Sequence, residues 1–236
     1  MPGYIHHIEW SVSDLSLASE QVGKCFGFAL FANRNIRDAN GDLTIEQKVY
    51  KSGDTTFVLS KQFCAADADS FPSVYSEKKD TLFNICLEVS SVGNVLDRAS
   101  RIGAEIITDL TEVQSGEGRI EFAVIKSCVG NIIHTLVDTR SYHGHFLPGF
   151  EPVTLEHESE LLSTHMDHVT YVCECGQSED VLKWYRDVFG MQRFLVNSSE
   201  SVSEGVTIGK FPTSLTLGIN ALIIDLPFQP TMLASE

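Results

Sequence analysis

The sequence predicts an α+β protein of tandem βαβββ modules, with three copies of the module in 236 residues. Runs that read as strands and helices come repeatedly in the order strand, helix, then further strands. The helical stretches carry an apolar stripe and stop at a glycine. Copy one starts near residue 5, copy two near 82 and copy three near 167, so the order recurs as an internal repeat.

Copy one opens with the strand Ile5–Val12. Asp14 is placed to cap the following helix, whose buried stripe is expected to hold Leu15, Ala18, Val22 and Cys25. Strands follow at Phe28–Ala32, Thr44–Tyr50 and Thr55–Leu59, with turns at Asn40-Gly41-Asp42 and Ser52-Gly53-Asp54. Copy two has the strand Leu82–Val89 and a helix bearing Val92, Val95, Leu96, Ala99 and Ile102 that stops at Gly103. Its later strands are Glu105–Thr108, Ile120–Ile125 and Ile132–Val137. Copy three begins with His168–Cys173; Ser178 is the expected helix cap, and Val181, Trp184, Tyr185 and Val188 form the stripe. Phe194, Val206–Ile208, Leu215–Ile224 and Met232–Ala234 supply its later strand material. Phe26-Gly27-Phe28 and Phe189-Gly190-Met191 fall at the same point of copies one and three, each glycine ending a helix over an aromatic neighbour.

These boundaries predict a complete domain of two modules over residues 1–140, a linker over 141–166, and half a domain over 167–236. Copies one and two can close against each other. The third has no partner module within the chain, so its apolar face is expected to meet another chain, as in a homo-oligomer, to fold back, or to lie exposed.

Composition excludes several classes of function. With 17 basic and 32 acidic residues the net charge is −15, and no Lys/Arg cluster offers a local exception, so no nucleic-acid partner is expected. No transmembrane segment is expected either, because the longest apolar run, near Ile219–Ile224, is limited by Asn220 and Asp225. The cysteines, Cys25, Cys64, Cys86, Cys128, Cys173 and Cys175, read mostly as buried thiols of a reducing compartment; Cys173 and Cys175 flank Glu174 and share a strand face, with a zinc or redox role as the lesser reading.

Histidines and carboxylates carry the remaining signal. His168 follows Asp167 at the start of a strand and reads as a metal ligand or as a polar residue lining a pocket. His7 occupies the same place in copy one; Asn84 and His134 are the aligned positions of copy two, and Glu9 shares the His7 face. Such a set is either a weak metal site or a hydrogen-bonded polar remnant, since asparagine is a poor ligand for a transition metal. His143 and His145, outside the repeats, read as a surface loop. No HxxxH, GxGxxG, P-loop, GxSxG or paired-carboxylate motif occurs.

The module order resembles the vicinal oxygen chelate fold, whose metal ligands line the inner face of a cupped sheet. The segment Tyr142-His143-Gly144-His145-Phe146-Leu147-Pro148-Gly149-Phe150 narrows the resemblance to the 4-hydroxyphenylpyruvate dioxygenase family. Asp167-His168-Val169-Thr170 and Leu182-x-Trp184-Tyr185-x-Asp187-x-x-Gly190 continue it in order. Phe146-Leu147-Pro148-Gly149-Phe150-x-Pro152-Val153 and the stretch Pro230–Glu236 are most similar to the family's dioxygenase-like branch.

The resemblance implies an iron(II)-dependent dioxygenase acting, with dioxygen, on 4-hydroxyphenylpyruvate or a related aromatic 2-oxo acid. In this branch it further implies 4-hydroxymandelate as product, for ubiquinone head-group synthesis. The family holds Fe(2+) with two histidines and a glutamate of its C-terminal domain. His168 matches the first histidine; the other two ligands belong to a fourth module, and the 236-residue chain is therefore expected to be inactive alone. Ala221 falls near a serine that helps hold the family's substrate, and Ser235 near an asparagine, which puts the parent substrate in question. The competing expectation is a non-catalytic binding or scaffold protein that kept the fold. The branch implies mitochondrial association, with the cytoplasm as the alternative because Met1–Val12 offers no basic presequence.

Overall fold

The computed structural model describes residues 2–63, 79–154, 166, 168–174, 176–191 and 220–225. Strand β1 spans Pro2–Ser11 and leads into helix α1, Leu15–Glu20. Asp14 caps that helix as expected, its carboxylate accepting the Ser16 and Leu17 N–H groups at 2.9 and 3.0 Å. A π-helical turn, Gln21–Cys25, continues it. The wider turn alters the rotation per residue, so Val22 stays buried while Cys25, expected on the stripe, is exposed.

Strands β2 (Ala29–Arg37), β3 (Leu43–Ser52) and β4 (Thr55–Gln62) complete the first module. The second has β5 (Thr81–Val89), α2 (Val92–Arg101), β6 (Ile106–Ser115), β7 (Gly118–Lys126) and β8 (Ile133–Tyr142). Strands β2, β6 and β8 run further than their apolar patterns indicate. Their extensions are polar but remain paired in the sheet ladder, and pairing rather than side-chain alternation sets their length.

A nine-stranded curled sheet results, in the order β6-β7-β8-β5-β1-β4-β3-β2-β9, where β9 is Glu151–Pro152. Within each module the first strand pairs in parallel with the last, and the modules join through antiparallel β1 and β5. The helices cover one face. Here Leu15 and Val22 pack with Val12, Tyr50 and Leu59, and Val92, Val95 and Ala99 pack with Ile85, Leu87, Ala123 and Leu136. The opposite, inner face is covered by the segment after β8: Leu147 is 1% exposed and packs with Cys86, Ile120, Phe122 and Val137. Phe146 and Phe150 join it and also reach Ala32, Val49 and Val58. Leu147, Phe146 and Phe150, within the stretch expected to link two domains, thus pack on this face.

Of the stretch expected to form a third copy, β10 (His168–Cys173), α3 (Ser178–Phe189) and β11 (Asn220–Asp225) are described, with β10 and β11 paired antiparallel. Gln177, not Ser178, occupies the cap of α3; Ser178 is already helical and buried, and Glu179 and Asp180 supply the negative charge at the helix start. Gly190, at φ 73°, ends the helix in the left-handed conformation. Val181, Tyr185, Val188 and Phe189 pack onto the α2 side of module two, together with Tyr171 and Cys173. Phe194, Val206–Ile208 and Met232–Ala234 lie outside the described residues. No helix among those described is long and apolar enough to cross a membrane.

Candidate functional site

The inner face of the first two modules gathers a connected set of buried polar side chains. β1 contributes His7 and Glu9, β2 Arg34, β3 Gln47, β5 Asn84 and β8 Thr135. Glu9 is the hub. Its Oε1 accepts from Gln47 Nε2 at 2.7 Å and from the Ser60 hydroxyl, and its Oε2 accepts from Asn84 Nδ2 at 2.9 Å. Gln47 also donates to Ser60 Oγ at 2.8 Å, while its own Oε1 accepts from Arg34 Nε at 2.7 Å. Asn84 Oδ1 accepts the Thr135 N–H at 3.1 Å, which fixes the amide's orientation.

Burial pushes the Glu9 carboxyl above the ordinary range, against its hydrogen bonds and the Arg34 charge, which pull it down. Burial also brings Arg34 down to about 10, still a cation at neutral pH, lying 4.4 Å above the Phe150 ring. A void of about 10 Å³ remains between these groups, roofed by Leu147 and Phe150. That holds one water at most. Glu9, Gln47, Ser60 and Asn84 are bonded to one another, while the buried Thr135 hydroxyl has no partner among the described residues, and the void is too small for a substrate.

His7 and Glu9 share this face, as expected, and Asn84 meets them. His134 does not. Successive strand residues point to opposite faces, and β8 turns Thr135 inward and His134 toward the helices. There His134 Nδ1 donates to the Ile85 carbonyl at 3.3 Å, so Nε2, at 2.8 Å, accepts from the Tyr185 hydroxyl. Tyr185 in turn meets Ser127 Oγ at 2.9 Å, tying α3 to module two. Burial lowers His134 to about 4.

Beside the Glu9 network lies a second group, His6, His7 and Cys86, whose ligand atoms all lie within 4.8 Å of one another. His6 Nδ1 is 2.8 Å from His7 Nδ1. Both imidazoles are held neutral by burial, His6 at about 4 and His7 well below its ordinary value. The Cys86 thiol is pushed up by burial and by nearby Glu88 and Glu9.

The other sequence candidates are placed only in part. His168 starts β10, opposite Asp225 in the backbone register, and Ala221 pairs with Val172. Ser235, Asp167 and Cys175 lie outside the described residues. His143 and His145 are exposed, and His145 stacks on Phe31 with ring centroids 4.0 Å apart. Arg34, Gln47, Ser60 and Thr135 were not singled out by the sequence; alternate polar residues in otherwise apolar strands were their one signal.

No protein-family model matches the chain. It is similar to the 4-hydroxyphenylpyruvate dioxygenase-like protein of Mus musculus, 27% identical over 206 residues that make up 86% of this chain and 52% of that protein. It is also similar to the 4-hydroxyphenylpyruvate dioxygenase of Aspergillus fumigatus, 28% identical over 206 residues, 80% of this chain and 50% of that one. The chain spans about half the length of the curated relatives it matches. Among solved structures, a mutant 4-hydroxymandelate synthase from Streptomyces coelicolor superposes with a TM-score of 0.61 at 20% identity, over 82% of this chain and 54% of that one. A xylose isomerase-like TIM barrel/4-hydroxyphenylpyruvate dioxygenase fusion protein gives 0.54 at 15% identity, over 81% and 28%. The fold is that of the vicinal oxygen chelate proteins, and the sequence relatives are 4-hydroxyphenylpyruvate dioxygenases and dioxygenase-like proteins.

Proposed function

We propose that this chain serves an iron(II)-dependent dioxygenase acting on an aromatic 2-oxo acid, 4-hydroxyphenylpyruvate or a close analogue, and that residues 1–236 do not turn over alone. The observation that carries the reading is the similarity to named dioxygenases over four-fifths or more of the chain. The proposed organisation is a closed domain over residues 1–140, a joining segment over 141–166 and the start of a second domain from 167.

The residues of the first cup do not fit iron. A facial iron site takes two histidines and a carboxylate with open positions. The cup offers Asn84 and Thr135 where ligands would be needed, and Glu9 is already occupied by three donors. The Leu147 and Phe150 roof closes the space that a substrate would enter. Chemistry is therefore assigned to the second cup, where His168 is the one iron ligand that the resemblance places in this chain. A product such as 4-hydroxymandelate, a role in ubiquinone head-group synthesis and a mitochondrial location are parts of the same proposal. A non-catalytic binding protein is the second reading, favoured by the internally satisfied Glu9 network.

The test is oxygen uptake by purified 1–236 with ferrous iron, ascorbate and 4-hydroxyphenylpyruvate, with product analysis for homogentisate and 4-hydroxymandelate. No turnover is expected. Metal-dependent turnover lost in His168→Ala would overturn the claim that this chain alone is inactive. The function itself is tested on the native full-length protein, where failure to oxidise any aromatic 2-oxo acid would favour the binding reading.

A further inference from the structure

We propose that His6, His7 and Cys86 form a binding site for a thiophilic cation, zinc(II) or copper(I), separate from any iron centre of the second cup. The site is built by a defect in strand pairing. Along β1 and β5, Ile5 pairs with Leu87 and His7 pairs with Cys86, so two steps on β1 match one step on β5. His6 is the extra residue of a β-bulge. In a regular strand neighbouring side chains point to opposite faces. The bulge instead brings both imidazoles to one side, with Nδ1 atoms 2.8 Å apart, and sets Cys86 directly across the ladder from His7.

The chemistry of the set is selective. Two imidazoles and a thiolate suit zinc(II) and copper(I), whereas hard oxygen-seeking cations need carboxylates and carbonyls. Nitrogen atoms bound to a common zinc at ~2.0–2.1 Å lie ~3.4 Å apart in tetrahedral geometry, so the two rings need to separate by about half an ångström. Cys86 is 0% exposed and His7 4%, while His6 is half-buried and offers an approach from the rim. Phe146 closes over both imidazoles, its ring centroid 5.4 and 5.5 Å from theirs. Glu9 and Glu88 lie near enough to act on Cys86 and would offset a cation's charge; Arg34 acts on His7, and Lys51 on His6, in the opposite sense. Binding releases the thiol proton to solvent and moves the proton between the two Nδ1 atoms to an Nε2, leaving both rings neutral ligands.

The assay uses the metals alone on the full 236-residue chain, reduced and stripped by chelator. Cobalt(II) is titrated as a spectroscopic stand-in for zinc, and zinc(II) is then added as competitor. In a parallel arm, copper(I) is partitioned against a coloured chelator. One equivalent with a thiolate-to-metal charge-transfer band is expected for cobalt, displaced by zinc. The band should be absent in Cys86→Ala and unchanged in His168→Ala and Cys173→Ser, which separates this site from copy three. Should Cys86→Ala fail to fold by circular dichroism, His6→Ala at the half-buried rim is the second variant, expected to weaken binding at least ~10-fold. The proposal is overturned if neither metal binds stoichiometrically, if the band survives in folded Cys86→Ala, or if His6→Ala binds like the parent.

Discussion

Acidification should weaken this fold through its buried histidines, and His134 allows the size of the effect to be worked out. Its ring is 1% exposed, and in the neutral form that burial favours it donates to the Ile85 carbonyl and accepts from Tyr185. Burial lowers it from 6.5 to about 4. Above pH ~6.5 both folded and unfolded chains hold this group neutral, and its contribution is fully present. As pH falls below that value the unfolded chain takes up a proton that the folded chain refuses. Stability then drops by up to ~1.4 kcal/mol per pH unit for this group, and the loss levels off once the folded form also protonates near pH 4. The total is about 3 kcal/mol, to order of magnitude, for a shift of about 2.5 units. Glu9 and Glu88 act in the opposite direction, because their raised values let the folded chain hold extra protons just above the ordinary carboxylate range. Comparison with His134→Gln isolates the histidine. Urea unfolding at pH 7 and pH 4.5 should show a parent stability loss larger than the variant's by ~2–3 kcal/mol. Equal losses in the two proteins would refute the assignment of a buried, neutral His134.

Two further outcomes follow from packing. Leu147→Ala should cost ~2–5 kcal/mol, read as a lower urea midpoint at unchanged slope, because the side chain is 1% exposed against Cys86, Ile120, Phe122 and Val137; a cost below ~0.5 kcal/mol would mean that the segment after β8 lies on the surface. Gly118→Ala should destabilise by more than the ~1 kcal/mol of an ordinary glycine turn, since at φ 122° its new Cβ would sit 2.2 Å from the Ser141 carbonyl oxygen, and a thermal melt matching the parent would contradict the β7–β8 register.

How far the sequence reveals this structure depends on which signal each element carries. The helices were legible because their apolar stripes repeat at helical spacing, and Asp14 caps α1 as its chemistry requires. The run Ile132-Ile133-His134-Thr135-Leu136-Val137 gave no such guide. Both faces of β8 are buried here, so apolar residues stand at consecutive positions and the alternation that would set its register is lost. The pattern therefore points His134 at the cup, where Thr135 stands. The bulge at His6 was equally hidden, because it is a property of pairing between β1 and β5 and neither strand shows it alone. His7 and Glu9 were legible as cup residues. Arg34, Gln47 and Ser60 became members of the site only when three separate strands were brought beside Glu9.

The two faces of module two explain how the chain passes from one unit to the next. After β8 the polypeptide turns into the cup, where Leu147, with Phe146 and Phe150, packs against Cys86, Ile120, Phe122 and Val137, and the two aromatics also reach Ala32, Val49 and Val58. It leaves at the β2 edge, where Glu151 and Pro152 pair with Asn33 and Ala32 and the Val153 N–H reaches the Phe31 carbonyl at 3.1 Å. On the opposite face α3 docks against α2, and Tyr185 enters a polar relay with His134 and Ser127. Apolar contact alone would let a helix slide along its neighbour. A buried hydroxyl that must meet a particular imidazole and a particular serine permits few positions, because each displaced partner costs ~1–3 kcal/mol unsatisfied. Through α3 that anchoring extends to β10, whose Tyr171 and Cys173 share the same core. The backbone of the strand that begins at His168 is thereby positioned by module two.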